Sequence, residues 1–102
     1  MMTKKIMLAC SAGMSTSLLV TKMQKAAADT GADVDIFATA AADAENKLAS
    51  EHPDVLMLGP QVRYMQADFE KQADCPVAVI DMRDYGLMNG AKVLENALAL
   101  IK

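Results

Sequence analysis

Short apolar segments and longer segments of helical periodicity alternate four times along this chain of 102 residues. The apolar segments have the length of β-strands, and the longer ones repeat apolar residues every three or four positions, as helices do. The connections between them are too short to serve as linkers, so we expect one domain over residues 1–102. The predicted strands span about residues 5–9, 33–38, 54–58 and 77–80, and the first two predicted helices about 15–30 and 40–50.

The two remaining helices are expected after Gly59-Pro60 and after residues 81–90, DMRDYGLMNG, which we predict as a loop. Proline suits the first turn of a helix, where its missing N–H group would have no partner. Apolar residues recur at helical spacing in three of the four helices and should face the core. These residues are Leu19, Met23 and Ala26 or Ala27 in the first helix, Val62, Met65 and Phe69 in the third, and Leu94, Leu98 and Ile101 in the last.

Four consecutive strand–helix units predict an α/β fold, (βα)4, in three layers, with a parallel sheet, right-handed crossovers and helices on both faces. The second strand alternates Val34 and Ile36 with Asp33 and Asp35, which indicates an edge strand with one half-exposed face. The third strand is apolar throughout, as a central parallel strand should be. The order 2-1-3-4 follows, and ligands should then bind where the winding reverses, beyond the carboxyl ends of strands one and three.

Composition excludes several classes of function. Ten Lys and Arg against thirteen Asp and Glu give a net charge of −3, whereas proteins that bind nucleic acid usually carry a basic surplus. No segment approaches the roughly 20 apolar residues that span a bilayer, and the first residues lack the apolar region of a signal peptide. We therefore expect a cytoplasmic chain, not inserted in the membrane, whose two cysteines are reduced.

Cys10 stands where the first strand ends and a segment of small or flexible residues begins. A loop of this composition that leads into a helix presents successive backbone N–H groups, and the positive end of the helix dipole adds to them. The expected result is an anion site that a phosphate can approach closely. The predicted phosphate-binding loop consists of Ser11, Ala12, Gly13, Met14, Ser15, Thr16 and Ser17.

A cysteine at the mouth of an anion site is in a field that favours the thiolate, which is the nucleophilic form. A thiolate beside a phosphate cradle suggests phosphoryl transfer through phosphocysteine. The alternative interpretation of Cys10 is a small buried core residue, because free cysteines are often buried at strand ends. A non-catalytic α/β binding module with an incidental cysteine would have such an unreactive thiol.

Other uses of this loop are judged by the residues that each would need. A nucleotide-binding loop of the GxxxxGK[ST] type is absent, so neither ATP nor GTP is expected. A low-molecular-weight cysteine phosphatase or an arsenate-reductase-like enzyme would place an arginine six residues after the cysteine, and Thr16 occupies that position. A redox pair with Cys75 would have to bridge the two ends of a strand, about 13–17 Å. A disulfide cannot reach that far.

The loops after strands three and four reach the same end of the sheet, so Gln61 and Tyr85 are secondary candidates for contact with the phosphate loop. His52 lies before the third strand, at the opposite end of the sheet. One histidine and two separated cysteines cannot form a metal site, and no cofactor is expected. Further residues at the Cys10 end, interpreted mainly as surface or capping residues, are Arg63, Asp81, Arg83 and Asp84.

Three segments, ACSAGMSTSLLVTKM, VLMLGPQVRYM and VIDMRDYGLMNG, resemble the enzyme IIB component of the phosphoenolpyruvate-dependent sugar phosphotransferase system, of the lactose, cellobiose and chitobiose class. The resemblance covers essentially the whole chain. It implies that Cys10 accepts a phosphoryl group from a phosphohistidine on a IIA protein. The group would pass to a sugar held by the membrane component IIC, such as a β-linked disaccharide (cellobiose, chitobiose or lactose). A monomeric carrier that associates with the membrane through IIC is expected.

Overall fold

A computed structural model of the chain describes residues 3–11 and 13–101, with the backbone alone for residues 13–15. Strands and helices alternate as the sequence pattern predicts. The strands are β1 (Lys4–Cys10), β2 (Val34–Ala40), β3 (Val55–Leu58) and β4 (Val77–Val79). The helices are α1 (Gly13–Thr30), α2 (Ala41–Glu51), a 3₁₀ helix (Pro60–Met65), α3 (Gln66–Gln72), α4 (Met82–Gly86) and α5 (Gly90–Leu100).

The four strands form one parallel sheet in the order β2-β1-β3-β4, which confirms the predicted order. Ile6 of β1 lies opposite Ile36 of β2 on one side and Val55 of β3 on the other. The edge position of β2 and the central position of β3 are both as predicted, and β3 is buried along its whole length. The winding reverses between β1 and β3, where the last residue of β1 is Cys10.

Side chains of β1 alternate between two apolar clusters, one on each face of the sheet. Ile6 and Leu8 belong to a cluster that includes Leu19 and Met23 of α1 and Leu94 of α5. The cluster on the other face is formed by residues of β1, β3, β4, α2, the 3₁₀ helix and α3. Helices therefore cover both faces, as predicted. The members of this second cluster are Met7, Ala9, Ala44, Leu48, Leu56, Leu58, Val62, Phe69 and Val77.

Residues 81–90 do not form the loop predicted from the sequence, because they contain the short helix α4. The Asp81 carboxylate caps this helix and accepts hydrogen bonds from the backbone N–H groups of Arg83 (2.9 Å) and Asp84 (3.3 Å). An aspartate in this position satisfies N–H groups that lack partners within the helix. The helix has only five residues, too few for an apolar period to be read from the sequence.

The third predicted helix is also divided, into the 3₁₀ helix and α3. Val62 has non-helical dihedral angles within the 3₁₀ segment, with φ −116° and ψ 21°. The predicted apolar face is kept nonetheless, since Val62 and Phe69 are both buried. None of the helices in the described part of the chain is long and apolar enough to cross a membrane.

Candidate functional site

Cys10 ends the central strand β1 and is almost fully buried, with 1% of its surface exposed. Its neighbour in β2 is Ala40, and on the β3 side the chain continues past Leu58 to Gly59. The Gly59 N–H group donates to the carbonyl oxygen of Ala9 at 2.8 Å, so the two strands remain paired beside the cysteine. A β-carbon on Gly59 would lie 3.0 Å from the Cys10 Cβ. The absence of a side chain at Gly59 therefore leaves room for the Cys10 side chain.

Thr16 holds the Cys10 sulfur through a hydrogen bond from its hydroxyl group. The side chain of Thr16 is buried, with 1% exposed, and it lies in the first turn of α1. Sequence reasoning placed Thr16 in the predicted phosphate-binding loop. It did not anticipate a bond to the sulfur, because both side chains must point to the same side for that contact. The position that carries arginine in cysteine phosphatases therefore carries a hydroxyl group that donates to the Cys10 sulfur.

Tyr85 approaches the same threonine from α4. Its hydroxyl oxygen lies 3.3 Å from Thr16 Oγ1, and its side chain is buried, with 8% exposed. The two residues are separated by 69 positions in the sequence. Tyr85, Thr16 and Cys10 therefore form a continuous chain of polar atoms that ends at the sulfur.

Gln61 also lies next to Gly59. A β-carbon on Gly59 would be 3.0 Å from the Gln61 side-chain oxygen as well as from the Cys10 Cβ. Unlike Tyr85, Gln61 is exposed, and it belongs to the 3₁₀ helix that follows β3. The structure therefore brings both secondary candidates to the Cys10 end of the sheet, one inside the protein and one on its surface.

The segment after Cys10 is shorter as a loop than the sequence suggested. Helix α1 begins at Gly13 rather than near Ser15, because the residues up to Ser17 already adopt helical geometry. Of the seven predicted loop residues, Ser11 and Ser17 are exposed and Thr16 is buried. Ala12 lies outside the described residues, as do the side chains of Met14 and Ser15.

The first turn of α1 places partial positive charge at the carboxyl end of β1. The first four N–H groups of an α-helix have no intrahelical partner, and the macrodipole places partial positive charge at the same end. The first turn of α1 carries no acidic side chain to oppose this charge. An 18-residue helix that begins three residues after Cys10 therefore offers donors and a positive field to an anion near the sulfur.

The remaining candidates cap a helix or lie wholly or partly at the surface. Asp81 caps α4, and Arg63 and Arg83 are exposed. Asp84 is half-buried, and its backbone carbonyl accepts from the N–H group of Asn89 at 2.9 Å. Among the residues that the structure describes, no group of three or more His, Cys, Asp or Glu side chains could hold a metal ion.

Cys75 precedes β4 and therefore lies at the amino end of the parallel strands, whereas Cys10 lies at their carboxyl end. It lines a surface cavity of about 570 Å³ together with His52, Asp54 and Asp74. Burial raises the pKa of the Cys75 thiol, and the nearby carboxylates of Asp54 and Asp74 raise it further, while a backbone hydrogen bond at Leu56 partly opposes them. The raised pKa disfavours the nucleophilic thiolate at neutral pH.

Solved structures with this architecture include proteins from Streptococcus pneumoniae and Borrelia burgdorferi. The lactose-specific IIB domain of the phosphoenolpyruvate:carbohydrate phosphotransferase system (PTS) from Streptococcus pneumoniae superimposes with a TM-score of 0.86, over 99% of this chain and 100% of that one. At 17% identity, this likeness establishes the fold alone. The cellobiose-specific IIB component from Borrelia burgdorferi is 34% identical, with a TM-score of 0.78 over 98% of this chain and 93% of that one.

Sequence comparisons identify the family. The chain is 57% identical to the cellobiose-specific EIIB component of Lactococcus lactis subsp. lactis and 56% identical to the galactose-specific EIIB component of Lactococcus lactis subsp. cremoris, each over 95% of both chains. It is 43% identical to the oligo-beta-mannoside-specific EIIB component of Bacillus subtilis over 96% of both chains. The family model described as "PTS system, Lactose/Cellobiose specific IIB subunit" matches residues 5–96. The chain belongs to this family of IIB subunits and is a phosphotransferase of the sugar phosphotransferase system.

Proposed function

We propose that Cys10 is the residue that carries the phosphoryl group, receiving it from a phosphohistidine of a IIA protein and passing it to a sugar bound by a membrane IIC protein. The main support is the position of Cys10 at the end of β1, three residues before the start of α1. Its sulfur accepts a hydrogen bond from the Thr16 hydroxyl group. Cys75 has neither surroundings of this kind nor a pKa that favours the thiolate.

In the first step, the Cys10 thiolate attacks the phosphorus of the phosphohistidine in line with the bond that breaks. An S–P bond forms as the P–N bond opens, and the electron pair of that bond stays on the imidazole nitrogen, which takes up a proton. The segment of residues 11–17 (Ser11, Ala12, Gly13, Met14, Ser15, Thr16 and Ser17) receives the phosphoryl oxygens through those backbone N–H groups that have no partner within the helix, and the dipole of α1 stabilises their charge.

In the second step, a sugar hydroxyl oxygen attacks the same phosphorus. An O–P bond forms, the S–P bond breaks with its electron pair returning to the Cys10 sulfur, and the hydroxyl proton passes to a base beside the sugar. The Thr16 hydroxyl group, which donates a hydrogen bond to the sulfur, stabilises the thiolate that leaves. The thiolate is thereby restored for the next phosphoryl group.

The substrate of the complete system is proposed to be a β-linked disaccharide such as cellobiose, chitobiose or lactose. Related proteins are named as specific for cellobiose, galactose and oligo-beta-mannoside, at 57%, 56% and 43% identity. Relatives named for cellobiose and for galactose are thus almost equally similar to this chain, which supports sugar selection by IIC rather than by IIB. The carrier is proposed to be a cytoplasmic monomer that meets IIA and IIC in turn through the Cys10 end of the sheet.

The intact mass of the protein tests this proposal after incubation with phosphoenolpyruvate, the two general phosphotransferase proteins and the matching IIA. One phosphoryl adduct is expected on the wild type and on Cys75→Ser, and none on Cys10→Ser. Cys75→Ser is the matched control, because it removes the other thiol of the chain, which lies at the opposite end of the strands. An adduct that persists in Cys10→Ser, or turnover of a small phosphate ester by the isolated chain, would contradict the proposal, the latter in favour of a cysteine phosphatase.

A further inference from the structure

The buried hydroxyl groups of Thr16 and Tyr85 form a chain that leads to the Cys10 sulfur. Thr16 Oγ1 bonds to the sulfur and lies 3.3 Å from the Tyr85 hydroxyl oxygen. With exposures of 1% and 8%, both residues are buried, so the partners of their hydroxyl groups are mainly protein atoms. The direction of each hydrogen bond, meaning which group donates, therefore depends on Cys10, Thr16 and Tyr85 themselves.

The number of hydrogen atoms available determines those directions. A threonine hydroxyl carries one hydrogen atom, and a thiolate can only accept a hydrogen bond. When Cys10 is a thiolate, Thr16 must give its one hydrogen to the sulfur. The bond between Thr16 and Tyr85 then requires the Tyr85 hydroxyl group as the donor.

We propose that Tyr85 is a positioning residue that stabilises the Cys10 thiolate through Thr16, an inference that rests on the proposed role of Cys10. The Tyr85 hydroxyl group donates to Thr16 Oγ1, holds that hydroxyl group in the orientation that points its hydrogen at the sulfur, and polarises the O–H bond. Hydrogen bonds in such a chain strengthen one another. Tyr85 needs no contact with the phosphoryl group to exert this effect.

Helix α4 and the apolar cluster hold the Tyr85 hydroxyl group in a fixed position. The Asp81 carboxylate caps the helix, and the Tyr85 N–H group donates to the Asp81 carbonyl oxygen at 2.9 Å. The aromatic ring is part of the same apolar cluster as Leu19 and Leu94. Because backbone and ring are both fixed, loss of the hydroxyl group alone should leave the fold intact.

The test is the pH dependence of Cys10 alkylation by iodoacetamide, followed by mass in a Cys75→Ser background so that one thiol reacts. In Tyr85→Phe we expect the midpoint of the profile to move to higher pH, with alkylation about two- to fivefold slower below the midpoint. A purely structural change in access would scale the rate equally at every pH and leave the midpoint in place. The matched control is Tyr64→Phe, which removes the same atom from the other tyrosine, where 78% of the side chain is exposed.

The route through Thr16 is tested by a double-mutant cycle with Thr16→Val. This variant alone should slow alkylation below the midpoint by at least about tenfold, because it removes a hydrogen bond to a charged group. Tyr85→Phe should then add nothing further, since its effect passes through the missing hydroxyl group. Additive effects of the two substitutions would overturn the proposed route.

An unchanged midpoint in folded Tyr85→Phe would overturn the inference altogether. Alkylation requires no IIA, so this result is read independently of the phosphoryl adduct. A wild type that is phosphorylated on Cys10 while Tyr85→Phe keeps its midpoint refutes the role of Tyr85 and leaves the carrier function standing. A phosphoryl adduct on another residue refutes the carrier role of Cys10, whatever the alkylation profile.

Discussion

Gly59 and Cys10 lie so close that a methyl group on the glycine would be 3.0 Å from the cysteine Cβ. The same methyl group would lie 3.5 Å from the carbonyl oxygen of Ala9, which accepts the Gly59 N–H group. The Cys10 sulfur also accepts a hydrogen bond from Thr16, which restrains the side chain further. The end of β3 therefore helps to determine the position of Cys10.

Gly59→Ala is expected to impair phosphoryl acceptance more than folding. A displacement of Cys10, the proposed phosphoryl acceptor, by even a fraction of an ångström would weaken its alignment with phosphorus, and we expect acceptance from IIA to slow by about tenfold or more. The cost in unfolding free energy should be about 1–3 kcal/mol, typical of overpacking. The rate of formation of the phosphoryl adduct and the urea midpoint measure the two effects. An acceptance rate equal to that of the wild type would show that the position of Cys10 does not depend on Gly59.

Gly90→Ala is expected to destabilise the fold itself. Helix α5 begins at Gly90 against α1, and a β-carbon there would lie 2.6 Å from backbone atoms of Lys22 and Met23. The two helices would have to separate, which should lower the unfolding free energy by at least about 1–3 kcal/mol in urea denaturation. Gly86→Ala is the matched control, because a β-carbon at Gly86 has no atom within 4 Å, and its effect should stay within about 0.5 kcal/mol. Equal stability of the two variants would contradict the close packing of α5 on α1.

Cys75 should be a slow nucleophile at neutral pH. Its pKa is raised by burial and, to a smaller extent, by Asp54 and Asp74, so the thiolate forms only at a higher pH than in an unfolded chain. In Cys10→Ser, the alkylation midpoint of Cys75 is expected to lie above that of the same protein in urea. Asp74→Asn should lower the midpoint without restoring the unfolded value, since burial is the larger cause. A midpoint in the folded protein below the one in urea would contradict this account.

Periodicity and the placement of special residues were sufficient to predict the architecture. Alternating strand and helix patterns led to a parallel sheet, and the polar residues of β2 placed that strand at the edge, so the order β2-β1-β3-β4 could be inferred. The apolar spacing identified Leu19 and Met23 of α1 as core residues, and both are fully buried. Local patterns work here because each strand and helix must hide one face, which leaves a regular trace in the sequence.

The ends of elements and the short helix were predicted less well. Helix α1 starts at Gly13, and α4 occupies a segment that was predicted as a loop. Small polar residues are equally compatible with a loop or with the first turn of a helix. A helix of five residues is stabilised by its Asp81 cap and by the packing of Tyr85, and these contacts exist only in the folded protein.

The sequence by itself determined the fold class, the family and the location of Cys10 at the point where the winding of the sheet reverses. Only the tertiary structure decided that Thr16 bonds to the sulfur and that Tyr85, 69 positions away, lies against Thr16. The reason is physical. Periodicity records which face of an element is buried, whereas the partner of a buried hydroxyl group depends on how separate elements pack, and that arrangement leaves no periodic trace in the chain.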